Sequence, residues 1–169
     1  MSKMLQLIQV TSDEQITHVY QLFREYVQLL HETANQEYGI SIDVDSILNM
    51  FMKGIDDFYP PRGRIYLAKY NFEIAGVGCL KQLEDDVGEI KRMFVRSEYR
   101  RKGIGKEVLD RLITDARAIG YTKIRLDSPK AFSPSHALYQ SRGFQYIEPY
   151  PGSEGAAQAD LFVFMEFVL

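Results

Sequence analysis

A basic segment with two glycines, Arg100-Arg101-Lys102-Gly103-Ile104-Gly105, has the residue types best suited to binding a phosphate. It lies between a strand-like run and a helical pattern, where the first N–H groups of the helix lack partners and the helix dipole favours negative charge. Glycine lets the backbone approach an anion closely, and the arginine and lysine side chains, with Lys106, add charge-assisted hydrogen bonds. The segment therefore predicts a diphosphate site at the start of a helix.

The glycine pattern alone also fits a solvent-exposed basic turn, in which Gly103 serves only the backbone geometry. It is not a Walker A loop, because no Gly-Lys-Ser/Thr follows. Nor is it the dinucleotide-binding fingerprint, which would need a third glycine where Val108 stands. Further evidence has to come from the rest of the sequence.

The distribution of charge along the chain favours a compact anionic ligand over a long polyanion. Residues 91–106 hold seven basic residues and one acidic residue, a local charge of +6, which leaves −9 for the rest of a chain whose formal net charge is −3. A nucleic-acid-binding module would use this basic patch, but an acidic body opposes a long polyanion. We therefore expect no nucleic-acid partner.

Two motifs resemble those of the GCN5-related N-acetyltransferase (GNAT) family. Arg100-x-x-Gly103-x-Gly105, preceded by the strand-like Glu89–Val95, resembles the central motif of the family, and Ala137-Leu138-Tyr139-x-x-x-Gly143-Phe144 resembles its second motif. The resemblance covers roughly residues 64–168. One position departs from the pattern, because Phe132 stands where many members have asparagine, seven residues before the tyrosine.

The resemblance implies that acetyl-coenzyme A (acetyl-CoA) is the cofactor. In the family, backbone amides of the loop hold the pyrophosphate, and the preceding strand pairs with the pantetheine arm. The cofactor-binding residues implied here are Met93, Phe94, Val95, Arg100, Arg101, Lys102, Gly103, Ile104, Gly105 and Lys106.

The resemblance also implies direct attack of a primary amine on the thioester in a ternary complex, with two candidate catalytic side chains. Tyr139 would be the general acid that protonates the leaving sulfur, although a tyrosine packed in the core is the alternative. Glu89 would be the base, at the offset before Arg100 that the family's histone acetyltransferases use. An ion pair with Lys91 on the same strand face is the alternative, and some relatives use no dedicated base. A main-chain N–H near Phe94 or Val95, where the family strand bulges, would meet the carbonyl oxygen.

Other reactive residues fit structural roles better. Cys79, the single cysteine, lies in an apolar run and favours strand core over an acyl-enzyme nucleophile. His18, His31 and His136 share no metal-ligand spacing, so we expect no metal, although His136 stands beside the second motif.

The acceptor is the least determined part of the prediction. Aromatic and acidic residues in the regions that flank the family's acceptor site would suit a cationic amine: Glu32, Glu37, Tyr38, Tyr59, Tyr146, Glu148, Tyr150 and Glu154. Acidic loops are also ordinary solvated surface. We expect a small-molecule amine, with a protein or peptide N-acetyltransferase and a non-catalytic acyl-CoA-binding sensor as the alternatives.

Apolar periodicity predicts the elements that must position these residues. Alternation predicts strands at 4–10, 64–70, 74–83, 87–95, 123–127, 144–147 and 161–168. Helical spacing predicts helices with apolar residues at 16–30, 47–52, 104–119 and 137–139. Thr11 with Glu14 fits a capping box for the first helix, and Ser133 with Pro134 fits an N-cap and first helical position for the last.

The resulting expectation is a mixed α/β fold with residues 1–169 as one GNAT-like N-acetyltransferase domain. Its central, mostly antiparallel sheet would have about seven strands flanked by about four helices. The composition is that of an ordinary globular protein, 46% apolar and 25% charged. With no signal-peptide core at the first residues and no membrane-length apolar run, we expect a cytoplasmic protein without a membrane partner. A homodimer is an expectation from the family alone.

Overall fold

The computed structural model describes residues 4–169, in which seven strands and four α-helices form an α/β fold. The strands are β1 (Leu5–Gln9), β2 (Arg64–Tyr70), β3 (Glu73–Glu84), β4 (Val87–Val95), β5 (Lys123–Pro129), β6 (Gln145–Ile147) and β7 (Phe162–Val168). The helices are α1 (Asp13–Tyr38), α2 (Val44–Lys53), α3 (Ile104–Ile119) and α4 (Ser133–Ser141). Three 3-10 segments, Ile55–Phe58, Ser97–Tyr99 and Glu154–Leu161, complete the described elements. The prediction about a leader concerns residues 1–3 and lies outside this range.

All strands belong to one sheet in the order β1-β2-β3-β4-β5-β7-β6. Every neighbouring pair is antiparallel except β4 and β5, which run parallel. A parallel pair needs a crossover connection, and α3 supplies it between these two strands. The predicted mixed, mostly antiparallel sheet is confirmed.

Helices cover both faces of the sheet and create two apolar cores. On one face, Leu109 and Leu112 of α3 pack with Leu80 and Ile90 in a cluster that also contains Tyr139. On the other face, the apolar stripes of α1 and α2 pack in a second cluster against β2 and β3. Alternate residues of the central strands therefore face different helices, as the period of a strand requires.

The helix starts differ from the predicted caps. The side chain of Ser12 accepts a hydrogen bond from the N–H of Gln15, and Oε1 of Gln15 accepts one from the N–H of Ser12. The capping box is therefore one residue later than the predicted Thr11 and Glu14. In α4 the N-cap is Phe132, which makes no side-chain cap, and Ser133 is already the first helical residue. The predicted Ser133 cap is wrong.

The sheet splits at its parallel pair. Strands β4 and β5 are paired only at Val87↔Lys123, Gly88↔Ile124 and Glu89↔Arg125. Beyond Glu89, β4 continues to Val95 along β3, whereas β5 continues to Pro129 along β7. In the described residues, no strand pairs with the β5 side of the second half of β4, and a gap opens there.

None of the helices within residues 4–169 is both long enough and apolar enough to cross a lipid bilayer.

Candidate active site

The start of α3 offers unpartnered backbone N–H groups. Its N-cap, Gly103, has a left-handed backbone (φ 78°, ψ 5°) and provides no side-chain cap. A Cβ added at Gly103 would meet nothing within 4 Å, so the space in front of the helix is open. The side chain of Ile104 is 1% exposed and belongs to the core, which leaves only its backbone to face this space. The predicted anion site therefore has the geometry that a diphosphate needs.

The basic side chains of the loop partly hold the loop itself. Arg100 donates from Nε to the Val95 carbonyl at 3.1 Å, and Lys102 donates from Nζ to the Glu98 carbonyl at 2.8 Å. Lys106 lies 3.8 Å from Asp110 one helical turn on. Arg101 is exposed, with a left-handed backbone (φ 60°). The loop thus keeps its cationic side chains near the open helix start.

A β-bulge in β4 determines which peptide groups face the gap. Cys79 pairs with Lys91 and Val77 with Phe94, so Arg92 and Met93 together oppose Gly78 alone. Arg92 has the left-handed backbone (φ 56°) that such a bulge produces. As a result the consecutive side chains of Lys91 and Arg92 both reach the α1–α2 face, where both contact Glu154.

The β3–β4 hydrogen-bond ladder after the bulge shows which N–H group of β4 is not bonded to β3. The N–H of Arg96 bonds to the Ala75 carbonyl at 2.9 Å. The peptide groups of a strand alternate in direction, so the N–H of Phe94 also points to β3. The N–H of Val95, between them, points into the gap. The bulge therefore lies at Arg92 and Met93, not at the predicted Phe94 or Val95, and Val95 is the candidate donor.

The gap leads into a cavity of about 410 Å³. Its walls are α1, the 40–43 loop and α2 on one side, and β4, β5, the start of α4 and the 154–161 segment on the other. The lining side chains are Tyr26, Leu30, Thr33, Ala34, Tyr38, Ile40, Ser41, Ile42, Asp43, Ile47, Met50, Phe51, Ile90, Lys91, Arg92, Met93, Asp127, Ser128, Pro129, Ala131, Phe132, Ser135, Tyr139, Glu154, Gln158, Leu161 and Phe162.

A cluster of charged side chains forms the floor of this cavity; we call Lys91, Arg92, Asp127 and Glu154 the floor cluster. Lys91 Nζ lies 2.9 Å from Asp127 and 3.3 Å from Glu154. Arg92 donates two hydrogen bonds to Glu154, at 2.6 and 2.8 Å. Asp127 also accepts from the Ser153 hydroxyl and from the N–H of Gly155 at 2.9 Å.

The floor carboxylates stay ionised. Burial would raise the pKa of Asp127, but the charge of Lys91 and the hydrogen bonds from Ser153 and Gly155 leave it below its ordinary value. Burial would likewise raise the pKa of Glu154, but the hydrogen bonds from Arg92 and the charges of Lys91 and Arg92 lower it to about 2. Neither carboxylate is therefore suited to take up a proton near neutral pH.

Comparison with known proteins gives this arrangement a family. The model of the acetyltransferase (GNAT) family matches residues 17–144, which is most of the chain. The chain belongs to the GNAT acetyltransferase family.

Individual GNAT relatives agree with this assignment. The uncharacterised N-acetyltransferase YsnE of Bacillus subtilis is 38% identical over 99 residues, which are 57% of this chain and 66% of YsnE, just under two thirds of its length. A GNAT acetyltransferase structure from Staphylococcus aureus has a TM-score of 0.75 at 24% identity and covers 98% of this chain and 99% of that one. A GNAT structure from Elizabethkingia anophelis with acetyl-CoA bound has a TM-score of 0.60 at 19% identity and covers 98% of each chain. These two structures establish the fold.

The GNAT family uses acetyl-CoA, and the residues present fit that cofactor. The uncapped start of α3, with open space at Gly103, suits the diphosphate. The unpaired edge of β4 suits a ligand with peptide-like groups, such as the pantetheine arm. A Cβ at Gly105 would come 3.4 Å from Leu138 of α4, so this glycine also allows the two helices to lie close together.

Tyr139 lies both in the core and on the cavity wall. It is 6% exposed, its ring packs 5.8 Å from that of Phe144, and it lines the cavity. Burial raises the pKa of its hydroxyl, so the phenol is protonated at neutral pH. Tyr139 therefore packs in the core, as the alternative interpretation expects, and its location on the cavity wall is also compatible with the predicted role as general acid.

Glu89 does not line the cavity. It is fully buried, accepts a hydrogen bond from the Tyr150 hydroxyl at 2.9 Å, and lies 3.7 Å from Lys91 and 3.8 Å from Lys81. Burial raises the pKa of its carboxyl. The alternative ion pair with Lys91 is therefore present, and the role of Glu89 as base stays a prediction.

Most residues that sequence reasoning assigned to the acceptor lie elsewhere. Of that set only Tyr38 and Glu154 line the cavity. Tyr150 is buried against Glu89, and Tyr146 is 51% exposed on β6. The predicted acidic and aromatic lining of the acceptor site is therefore corrected: the cavity is mostly apolar, and Glu154 is the only acidic member of that set that lines it.

Asp127 and Ser128 are the site residues that sequence reasoning missed. Both stand at the end of β5 and line the cavity, and Ser128 lies 3.1 Å from Nε2 of His136. Burial lowers the pKa of His136, which keeps the ring neutral. The sequence feature that could have identified them is a polar Asp-Ser pair at the end of an apolar strand, shortly before the second motif.

No group of three or more metal-ligand side chains comes together anywhere in the described part of the chain.

Proposed function

We propose that this protein is an acetyl-CoA-dependent N-acetyltransferase that transfers the acetyl group to a primary amine of a small molecule. One observation supports this most directly: the half of β4 that is unpaired with β5 lines the same cavity as Tyr139 through Ile90 to Met93, and it ends at Val95, shortly before the uncapped start of α3. An anion site, an unpaired strand edge and a proton donor then lie along one continuous path.

Acetyl-CoA supplies the acetyl thioester when bound. The backbone of Gly103, Ile104 and Gly105 would hold its diphosphate, and the exposed Arg101 would add a charge-assisted contact. Met93 and Val95 would line the thioester arm, since their side chains lie on the α3 side of the gap. Phe94 contributes to the opposite wall, with its ring 5.9 Å from that of Tyr26.

Groups of this chain would stabilise the charge on the thioester carbonyl oxygen and supply the proton that the leaving sulfur needs. The N–H of Val95 would hydrogen-bond the carbonyl oxygen and stabilise the negative charge that develops there. Tyr139 would hold the proton that the departing sulfur takes up. The proton of the amine would leave to water, or to Glu89 through Tyr150, because both ionised floor carboxylates are poor bases.

Transfer takes place in a ternary complex, without an acyl-enzyme. Cys79 is fully buried in the core between β3 and the α1–α2 face, and burial raises the pKa of its thiol to about 12. A thiol that is neutral and enclosed is a poor nucleophile. Cys79→Ala should therefore retain turnover.

The enclosed cavity favours a small molecule over a protein tail. Helices α1 and α2 cover one side and the 154–161 segment covers the other, tied to the floor through Glu154 and Gly155. An acceptor must fit within this volume, which lies in the range of small-molecule sites.

The test is release of free thiol from acetyl-CoA with amines, combined with a matched pair of glycine variants. Gly103 and Gly120 stand at the two ends of α3, both with positive φ and open space around the missing Cβ. Gly103→Glu should weaken coenzyme A binding in calorimetry by about a hundredfold or more, because it adds bulk and negative charge at the diphosphate. Gly120→Glu adds the same side chain away from the site and should leave the affinity unchanged.

Equal affinities for the two variants would exclude the α3 start as the cofactor site. Coenzyme A binding without thiol release for any amine would instead support a non-catalytic sensor.

A further inference from the structure

We infer that the acceptor amine is carried on an apolar body and has no carboxylate of its own. The inference rests on the function proposed above and names the substrate class of the same cavity. Three observations carry it: the apolar walls and mouth, the buried cations of the floor that already bind carboxylates, and the carboxylates of the floor that still have free lone pairs.

The walls of the cavity are apolar from the mouth inward. Three of the eight large apolar side chains that are exposed in residues 4–169 line this one cavity: Tyr38 (43%), Ile40 (36%) and Met50 (48%). Deeper in, Phe51 and Phe132 face the same space. Exposed apolar groups that gather at one opening indicate an apolar ligand, because they gain most from leaving water.

Charged side chains line the cavity only at its floor and at one position on its rim. Five charged side chains line it, four of which form the floor cluster. The fifth, Asp43, caps α2 and binds the N–H and hydroxyl of Ser46 at 3.1 and 2.9 Å. The second ammonium of a short diamine would therefore lie between the floor and the rim, against apolar walls, which is costly.

The floor cations already bind the floor carboxylates, and the one nitrogen of Arg92 without a partner, Nε, is buried. The Lys91 ammonium is 3% exposed and binds Asp127 and Glu154. Both Nη groups of Arg92 bind Glu154, the side chain is 7% exposed, and the Phe51 ring lies 3.4 Å from its guanidinium carbon. A carboxylate entering here would meet ionised Asp127 and Glu154 rather than a free cation.

The floor carboxylates can still accept hydrogen bonds from an amine. Each carboxylate has about four lone-pair positions, and the Glu154 side chain is 39% exposed. Asp127 and Glu154 equal the cations Lys91 and Arg92 in number, and Glu89 behind them has a further partner in Lys81. The floor therefore suits an N–H donor, and the walls suit the rest of the molecule.

Three acceptors that differ in one feature each test the inference in the wild-type protein. Phenethylamine has an amine on an apolar body, phenylalanine adds a carboxylate to it, and 1,4-diaminobutane replaces the apolar body with a second amine. With saturating acetyl-CoA, kcat/KM from thiol release should be about a hundredfold higher for phenethylamine than for either of the others.

A pair of neighbouring variants on α2 sharpens the test. Met50→Glu places a carboxylate at the mouth and should reduce the preference for phenethylamine over 1,4-diaminobutane about tenfold. Asn49→Glu adds the same charge at an exposed neighbour that does not line the cavity, and the preference should not change. An equal response of the two variants would contradict the placement of the apolar body between α2 and the opposite wall.

The outcomes separate this inference from the proposed function. A higher kcat/KM for phenylalanine or the diamine would overturn the acceptor class and leave the acetyltransferase proposal standing. No transfer to any of the three amines or to a wider amine panel, with coenzyme A still bound, would overturn both.

Discussion

The two ends of the proposed active site are built in opposite ways. The cofactor end, at the start of α3, consists of contiguous residues, is exposed, and offers mainly backbone N–H groups. The acceptor end, the floor cluster, consists of three buried side chains from β4 and β5 and the partly exposed Glu154 of the 154–161 segment. The difference shows that a backbone site can form from one short segment, whereas a buried ionic site depends on the whole sheet and on its electrostatic balance.

Removing a cation from the floor cluster should cause the largest effect. Lys91→Met leaves Asp127 and Glu89 buried without this cation, and we expect a loss of about 3 to 5 kcal/mol in the free energy of unfolding. Urea denaturation measures it. Lys106→Met is the control at the cofactor end, where the exposed pair with Asp110 should contribute less than about 1 kcal/mol. Similar losses for both variants would remove the distinction between the two ends.

Tyr139 stands where the two ends meet, and its hydroxyl should affect chemistry without affecting binding. Tyr139→Phe should lower kcat about a hundredfold, because a general acid typically contributes at least that much. Coenzyme A affinity should not change. Tyr146→Phe, an exposed tyrosine outside the cavity, provides the control. A parallel drop in affinity would assign Tyr139 to binding or packing.

A single cation at the cofactor end should have only a small effect. Arg101→Gln should weaken coenzyme A binding about two- to fivefold, less so at high salt, because exposed charge contacts are screened. Arg117→Gln removes an exposed arginine at the other end of α3 and should leave the affinity unchanged. A loss of several hundredfold for Arg101→Gln would mean that side chains, not amides, dominate this site.

The floor cluster should also make the free energy of unfolding depend on pH in the acid range. We expect this to be the smallest of the four effects, because Glu154 is partly exposed. Its pKa is lowered from 4.5 to about 2, so its contribution is present above pH 4.5 and is lost as the pH falls toward 2. The free energy of unfolding of Glu154→Gln should therefore vary less with pH over this interval than that of the wild type. Glu148→Gln, at an exposed loop position, should follow the wild type. Identical curves for wild type and Glu154→Gln would contradict the ionic role.

The sequence was informative where structure is local. The candidate cofactor loop could be predicted because a left-handed glycine and a helix start require only neighbouring residues, and the positions of the strands along the chain followed from apolar alternation. The floor cluster could not be predicted, because Lys91 and Asp127 are 36 residues apart and Arg92 and Glu154 are 62 residues apart. Their meeting depends on the path of β5 and of the 154–161 segment.

Some local details were also out of reach. Thr11-x-x-Glu14 and Ser12-x-x-Gln15 both fit a capping box, and only the hydrogen-bond geometry selects the second. The resemblance to the family implied a bulge near Phe94 or Val95, but its position depends on pairing across to Gly78. Glu89 matched the position of a catalytic base, yet its neighbours in space make it part of a buried ion-pair network.

The bulge at Arg92 and Met93 acts as a phase shift in β4. If the same residues formed a regular strand, every position after Lys91 would change sides: Phe94 would turn toward α3, Val95 toward α1, and the N–H of Val95 would bond to β3. Deletion of Arg92 would instead leave Phe94 paired with Val77 and keep the N–H of Val95 in the gap, so the extra residue adds a second cation to the floor without displacing the proposed donor.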